Sequence, residues 1–157
     1  VAGLRDALSG VDAAISCLAS GNADPVCSTA TRTLIAAADG PLRTLVVSGA
    51  SVEMAGDVRG PLERAAVSAM RLFLGGMLAD RRAELEILRA SPLAWTALRP
   101  PRLTGRPGRG AWRFDADRPR TPQISRDDLA GAIVDALSRD DLIGCAPFVS
   151  EDRGRGG

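Results

Sequence analysis

Short apolar segments alternate with longer helical patterns along this chain, and this alternation restricts its fold more than any other feature. Three such segments occupy residues 11–18, 42–47 and 94–98. Runs of this length without regular polar alternation are typical of strands buried on both faces of a parallel sheet. Strands that alternate with helices predict an α/β protein with a parallel sheet and right-handed crossovers.

The segments between the strands carry helix signals. Four helices are predicted, over residues 3–9, 26–38, 61–90 (divided at Gly75 and Gly76) and 126–137. Pro61 suits the first turn of the third helix. Ser125 predicts the N-cap of the last helix, and Asp128 three residues later completes a start that resembles a capping box. Residues 99–120 are rich in Arg, Pro and Gly, and residues 111–114 within them predict a short strand.

The chain contains no His, no Tyr and no Lys, so all 20 of its basic residues are Arg. Within this chain, their absence excludes His general bases, Ser-His-Asp triads, His-ligated zinc, Schiff-base lysines and Tyr–Lys proton relays. The use of Arg alone suggests the codon bias of a GC-rich bacterial genome. The formal net charge is +1, which gives no reason to expect nucleic acid or a membrane surface as a partner.

The three cysteines, Cys17, Cys27 and Cys145, form no CxxC pair. An odd count without metal-ligand spacing favours neither a disulfide scaffold nor a zinc site. We therefore expect free thiols and a cytoplasmic protein. Because Cys17 lies in a predicted buried strand, its thiol is expected to react slowly.

Several segments occur in an order that is found in one known superfamily. They are DAAISCL at 12–18, LVVSGA at 45–50, DRR with Glu84 at 80–84, LRAS at 88–91, WTALRPPRL at 95–103 and ISRDDLA at 124–130. Together they resemble the atypical short-chain dehydrogenases/reductases, most closely the NAD(P)H-binding group of NmrA-like proteins and biliverdin IXβ/flavin reductases. The resemblance implies a Rossmann-like, doubly wound parallel sheet over residues 1–150, with residues 151–157 as a flexible tail.

One element of that family has no counterpart here. Its members begin with a strand, a GxxGxxG-type turn and a helix, and no such motif follows a strand in this sequence. Gly105, Gly108 and Gly110 are predicted to be turn glycines instead. The resemblance thus implies the C-terminal portion of a single NAD(P)-binding domain that is N-terminally incomplete. We then expect an exposed edge at the first strand, marginal stability or self-association, and weak NAD(P)H binding.

Ligands of doubly wound sheets bind beyond the carboxyl ends of the strands, and three segments of this chain follow predicted strands. The resemblance implies that they contact the cofactor, NADP or NAD, through Cys17, Leu18, Ala19, Ser48, Gly49, Ala50, Pro100, Pro101, Arg102 and Leu103. Each segment also has a simpler explanation. The first is an ordinary strand exit, the second needs a small residue where the strand turns, and the Arg of the third is a solvated loop residue. The resemblance also implies a catalytic Ser48 that faces the nicotinamide and the substrate. With no base beside it, Ser48 is not expected to be a nucleophile.

The long helix carries two carboxylates, Asp80 and Glu84, at i,i+4 on one face. Such a pair can perform acid–base chemistry. Three nearby guanidinium groups, those of Arg81, Arg82 and Arg89, instead favour ion pairs exposed to solvent. We therefore predict that the two carboxylates form solvent-exposed ion pairs and do not perform acid–base chemistry.

These expectations combine into one function and two alternatives. The resemblance implies hydride transfer from NAD(P)H to a small acceptor such as a flavin, a quinone or another conjugated carbonyl compound. The proton would come from water, since the chain has no Tyr or Lys. The first alternative is an NmrA-like protein that senses NAD(P) without turnover, and the second is an inactive truncated remnant. A small-molecule substrate is the expected partner, without nucleic acid or membrane and with self-association through the exposed sheet edge.

Overall fold

Helices and strands alternate along the chain in a computed structural model that describes residues 2–152 and 154, with residues 63 and 66 described in their backbone only. The elements in order are α1 (Ala2–Leu8), β1 (Ala13–Ser16), α2 (Val26–Ala37), β2 (Arg43–Val47), α3 (Pro61–Arg89), β3 (Ala94–Leu98), β4 (Arg102–Thr104), β5 (Trp112–Asp115), β6 (Gln123–Ser125), α4 (Arg126–Leu137) and β7 (Phe148–Glu151). A 3₁₀ turn at Asp140–Leu142 precedes β7. None of the helices in these ranges is both long enough and apolar enough to cross a bilayer.

The three longer predicted strands form one parallel sheet in the order β1-β2-β3. In its register, Leu45 of β2 lies between Ile15 of β1 and Thr96 of β3. The segment before β7 continues the sheet beyond β3 through a parallel bridge between Thr96 and Cys145. The predicted α/β class with a parallel sheet is therefore confirmed.

Hydrophobic residues cover both faces of this sheet. Leu45 faces a buried cluster that includes Leu129 and Ile133 of α4. Its neighbour Val46 faces the opposite cluster, which includes Leu85 of α3. Because successive side chains of a strand point to opposite faces, β2 joins two cores in a helix–sheet–helix arrangement.

The burial predicted for the first strand is wrong. Ile15 of β1 is 48% exposed and Cys17, just after the strand, is also exposed. Within the described part of the chain, β1 has β2 as its only strand neighbour. Its apolar composition suits a strand with two neighbours, but burial depends on elements that cover the strand, and here its outer edge lies open.

Helix α3 is divided close to its paired glycines, as predicted. Leu74 has non-helical angles of φ −124° and ψ 25°. A Cβ atom at Gly76 would overlap the backbone oxygen of Asn22, whereas one at Gly75 would meet nothing within 4 Å. The Asn22 side chain donates to the carbonyl of Phe73 at 2.5 Å. The loop after β1 therefore packs directly onto the kink of α3.

The Arg-rich segment is ordered by the start of α4. The Ser125 hydroxyl accepts from the Asp128 amide at 2.9 Å, so the predicted N-cap is confirmed. Asp128 also accepts from the amides of Arg109 and Gly110, both at 2.8 Å. Burial alone would raise the pKa of Asp128, but hydrogen bonds from Ser125, Gly110 and Arg109 together hold it below its ordinary value. Gly110 turns the chain with φ +68°.

Strands β4, β6 and β7 were not predicted, because each has only three or four residues and pairs with a distant segment. Glu151, expected to begin a flexible tail, is the last residue of β7, where it pairs with Trp112 and is 4% exposed. Residues 153 and 155–157 of the expected tail lie outside the described residues.

Candidate functional site

The structure places all three predicted loop segments at the carboxyl edge of the parallel sheet. Two of them are directly joined: the Ser48 amide donates to the Leu98 carbonyl at 2.8 Å, and the Ala50 amide donates to the Pro100 carbonyl at 2.9 Å. The parallel register brings the exits of β1, β2 and β3 to one side, because strands that run in the same direction end at the same edge.

The predicted residues differ in how far they enter this edge. Exposed positions are Cys17, Leu18, Ala19 and Arg102, whereas Ser48, Gly49, Ala50, Pro101 and Leu103 are half-buried and Pro100 is buried. Arg102 starts β4, and its guanidinium donates to the Gln123 side-chain oxygen at 2.7 Å. Leu103 packs against the core on the α4 side. The loop after β1 is therefore exposed at residues 17–19, while the loop after β2 is half-buried at residues 48–50.

Ser48 carries an unusual hydroxyl group. Its Oγ is buried and has no hydrogen-bond partner among the described residues. Leaving a buried polar group unpaired costs about 1–3 kcal/mol, and such groups call for an explanation. A hydroxyl in this state at a strand exit is suited to a hydrogen bond with a bound ligand.

A cavity of about 220 Å³ adjoins this strand exit. It is lined by Ala50, Ser51, Val58, Arg59, Val67, Met70, Pro101, Pro119, Pro122 and Phe148. Among these residues Arg59 alone is charged. An apolar cavity with few polar groups at the carboxyl edge of a parallel sheet is the usual form of a small-molecule site.

A buried ion-pair network holds the loop between β2 and α3 over this edge. Arg99 directly follows β3, its side chain is 1% exposed, and it donates to Asp57 Oδ2 at 2.8 Å and to the carbonyl of Ala146 at 2.7 Å. Arg59 donates to the same Oδ2 at 3.2 Å and to the Ala50 carbonyl at 2.6 Å. These three charged residues were not predicted from the sequence. The position of Arg99 at a strand exit was the one available signal.

The first carboxylate of the long helix fixes the loop after β1. Asp80 is 5% exposed and accepts from the backbone amides of Cys27 at 2.8 Å and Ser28 at 3.1 Å, at the start of α2. The buried hydroxyl of Ser20 also donates to Asp80. Burial alone would raise the pKa of Asp80, but hydrogen bonds from Ser20, Cys27 and Ser28 together lower it.

The second carboxylate is buried more deeply. Glu84 is 0% exposed and accepts from Arg81 at 2.8 Å and from the Thr31 hydroxyl at 3.4 Å. Burial raises the pKa of Glu84, although the hydrogen bond from Arg81 opposes the shift. Arg81 also donates to the Leu18 carbonyl. The prediction of solvent-exposed ion pairs is wrong for both carboxylates, because the packing of α2 on α3 encloses this face.

The thiols divide into one buried and two exposed groups. No cysteine forms a disulfide, so the expected free thiols are confirmed. Cys17 and Cys145 are exposed, and the expected protection of Cys17 is wrong because β1 is an open edge. Cys27 is buried, and burial raises the pKa of its thiol although the Ser20 hydroxyl opposes the shift.

Comparison with known proteins identifies related sequences and folds. The family model for NAD(P)H-binding proteins matches residues 1–140. A comparison with curated protein sequences finds no significant match.

Three solved structures illustrate the structural likeness. A short-chain dehydrogenase/reductase from Veillonella parvula in complex with NADP has a TM-score of 0.74 and 19% identity, covering 97% of this chain and 68% of that protein. The anaerobilin reductase ChuY from Escherichia coli O157:H7 has a TM-score of 0.72 and 19% identity, with 99% and 71% covered. A candidate NADH-flavin reductase from Streptococcus pneumoniae has a TM-score of 0.68 and 23% identity, with 94% and 75% covered. These similarities confirm the Rossmann-like fold.

Proposed function

The chain belongs to the NAD(P)H-binding family, and on this premise we propose that it is a reductase that transfers hydride from NADPH or NADH to a small acceptor. Flavins, quinones and other conjugated carbonyl compounds are the proposed acceptor class. The observation that carries the proposal is the unpartnered, buried hydroxyl of Ser48 at the exit of β2, two residues before Ala50, which lines an apolar cavity. The names of two structural neighbours, an anaerobilin reductase and a candidate NADH-flavin reductase, support an acceptor of this class.

The cofactor of the family fits this edge of the sheet at its nicotinamide end. The free hydrogen-bonding capacity of Ser48 supports this placement. Gly49, Ala50, Pro100 and Pro101 would hold the ring through their backbone, and the exposed loop at 17–19 would lie along the cofactor. When bound, NAD(P)H supplies the hydride.

The residues of this chain would then have three tasks. The Ser48 hydroxyl donates a hydrogen bond to the acceptor carbonyl, the apolar cavity wall excludes bulk water, and the Asp57 network holds the loop after β2 in place. The sequence offers no Tyr or Lys as a proton donor. The reduced acceptor therefore takes its proton from solvent.

The test is Ser48→Ala in an assay of NADPH oxidation. Loss of one neutral hydrogen bond, about 0.5–1.5 kcal/mol, should reduce turnover roughly two- to tenfold. The stability should not fall, because the hydroxyl has no partner within the described protein. Ser125→Ala is the matched control, which should lose about 1 kcal/mol of stability as a helix cap but keep its turnover. Complete loss of turnover in a folded Ser48→Ala protein, or no change at all, would contradict the role of Ser48.

A second candidate is a protein that binds NAD(P) as a sensor without turnover, as NmrA-like proteins do. The absence of Tyr and Lys favours it, since no side chain of the usual proton-donor pair is available. Binding of NADPH without its oxidation by riboflavin, menadione or another acceptor would support the sensor and refute the reductase.

We also propose that residues 1–150 belong to a single NAD(P)-binding domain of a cytoplasmic protein that self-associates through β1. Its open edge is accompanied by the exposed apolar side chains of Val11, Ile15 and Leu18. Ile15→Arg should abolish self-association measured by light scattering. A monomer at all concentrations in the unaltered chain would refute this part of the proposal.

A further inference from the structure

We propose that the cavity lined by Ala50, Ser51 and Arg59 selects acceptors that carry an anionic group, and that Arg59 binds this group. The inference rests on the proposed function, because it concerns the acceptor of the same reaction. It adds a charge requirement to the acceptor class and assigns a specificity-determining residue.

The first observation is the state of the Arg59 side chain. It is 13% exposed and is the only charged group among the described residues that line the cavity. Its Nη2 has two partners, the Ala50 carbonyl and Asp57, but its buried Nε has none. An unpaired N–H donor on a charged group is costly when buried, and an anion in the cavity would pair with it.

The second observation is the charge balance around Arg59. The half-buried guanidinium of Arg59 and the buried guanidinium of Arg99 share the single carboxylate of Asp57. The cluster of these three side chains therefore carries one excess positive charge. Among the described residues, no second carboxylate is in salt-bridge contact with either Arg. Asp57 has one unpartnered oxygen, Oδ1, but it does not line the cavity. A ligand in the cavity thus meets the guanidinium of Arg59, and an anionic group would balance the excess charge.

The third observation is the position of Arg59 relative to Ser48. Arg59 is tied at 2.6 Å to the carbonyl of Ala50, two residues beyond Ser48 on the same strand exit. An acceptor whose conjugated ring contacts Ser48 can therefore place an attached carboxylate or phosphate at Arg59. The guanidinium suits both groups, because its planar donors match their oxygen atoms.

The experiment compares ligands that share a ring but differ in charge. FMN against riboflavin tests a phosphate, and carboxymethyl-lumiflavin against lumiflavin tests a carboxylate. Each is titrated into the 157-residue chain in the presence of NADP⁺, and binding is followed by quenching of flavin fluorescence, so no turnover is needed. At least one anionic flavin should bind tenfold or more tightly than its neutral partner, equivalent to about 1.4 kcal/mol. The stronger of the two preferences identifies the anionic group.

Arg59→Gln should reduce that ratio to about one, whereas Arg64→Gln, which removes an exposed charge on α3, should leave it unchanged. The unaltered chain offers a test that does not depend on the folding of a variant: the preference should weaken as salt is raised. Equal affinities within both pairs, no binding of any flavin, or an equal preference in Arg59→Gln would overturn the inference. An anionic preference without NADPH oxidation would support the role of Arg59 and refute the reductase. Failure of the Arg59 inference can therefore be distinguished from failure of the proposed function.

Discussion

Asp80 offers a sharp test of how this edge of the sheet is held together. Its carboxylate accepts from the amides of Cys27 and Ser28 at the start of α2 and from the hydroxyl of Ser20. In Asp80→Asn one carboxylate oxygen becomes an NH₂ donor that faces these donors, so at least one of them loses its acceptor. The variant has nearly the same volume, and its effect should therefore come from hydrogen bonding and charge alone.

The expected loss has two parts. A buried N–H group left unpaired costs about 1–3 kcal/mol, and removing a negative charge from a helix N-terminus costs about 0.3–1 kcal/mol. Together they predict a loss of about 1.3–4 kcal/mol in the free energy of unfolding. For a chain of this size, this corresponds to a decrease in Tm of roughly 3–16 °C.

The loss should depend on pH in one direction. The pKa of Asp80 is lowered in the folded protein, so the folded state binds fewer protons than the unfolded state in the range between the two pKa values. The ionised Asp80 carboxylate therefore stabilises the fold fully at pH values well above the ordinary Asp pKa of about 3.9. This stabilisation is lost as the pH falls through the lower pKa of the folded state. The difference between the unaltered protein and Asp80→Asn should be constant near neutral pH and should narrow below about pH 4.

Urea unfolding followed by far-UV circular dichroism measures this difference. Glu86→Gln removes an exposed carboxylate from the same helix and should change stability by less than about 0.5 kcal/mol. If Asp80→Asn loses no more than Glu86→Gln, or if its deficit grows as the pH falls below 4, the assignment of Asp80 as the acceptor at the start of α2 is wrong.

Two further predictions concern the packing of the loop after β1 on α3 and the reactivity of the three thiols. Gly76→Ala should destabilise the protein, because the added methyl group overlaps the backbone oxygen of Asn22. Gly75→Ala has open space at its Cβ position and should be neutral or stabilise the protein by up to about 1 kcal/mol. Thermal unfolding of the two variants measures this difference, and equal effects would refute the close packing at Gly76. In the native protein, a thiol reagent should modify Cys17 and Cys145 rapidly and Cys27 only upon unfolding. Mass spectrometry that finds Cys27 modified as fast as the others would show that the loop does not protect it.

Elements whose signals are local could be predicted from the sequence. The bounds of α4 and β3 agree with the prediction, since a capping Ser or a five-residue apolar run acts within a few residues. The position of Ser48 at a strand exit followed from the same local reasoning. Its role in binding or catalysis stays a prediction, as do the roles of the other candidate residues.

The sequence by itself determined the order of the four helices and the three strands of the parallel sheet, and it placed the candidate residues at the carboxyl edge of that sheet, because these follow from periodicity and chain direction. Tertiary structure decided which of the apolar and charged residues are buried. Apolar Ile15 is exposed because β1 has a single strand neighbour among the described residues. Asp80, Glu84 and Arg99 are buried because distant segments pack on them and supply hydrogen-bond partners, namely Cys27, Thr31 and Ala146. Burial depends on what packs against a residue, and those contacts join positions that lie far apart along the chain.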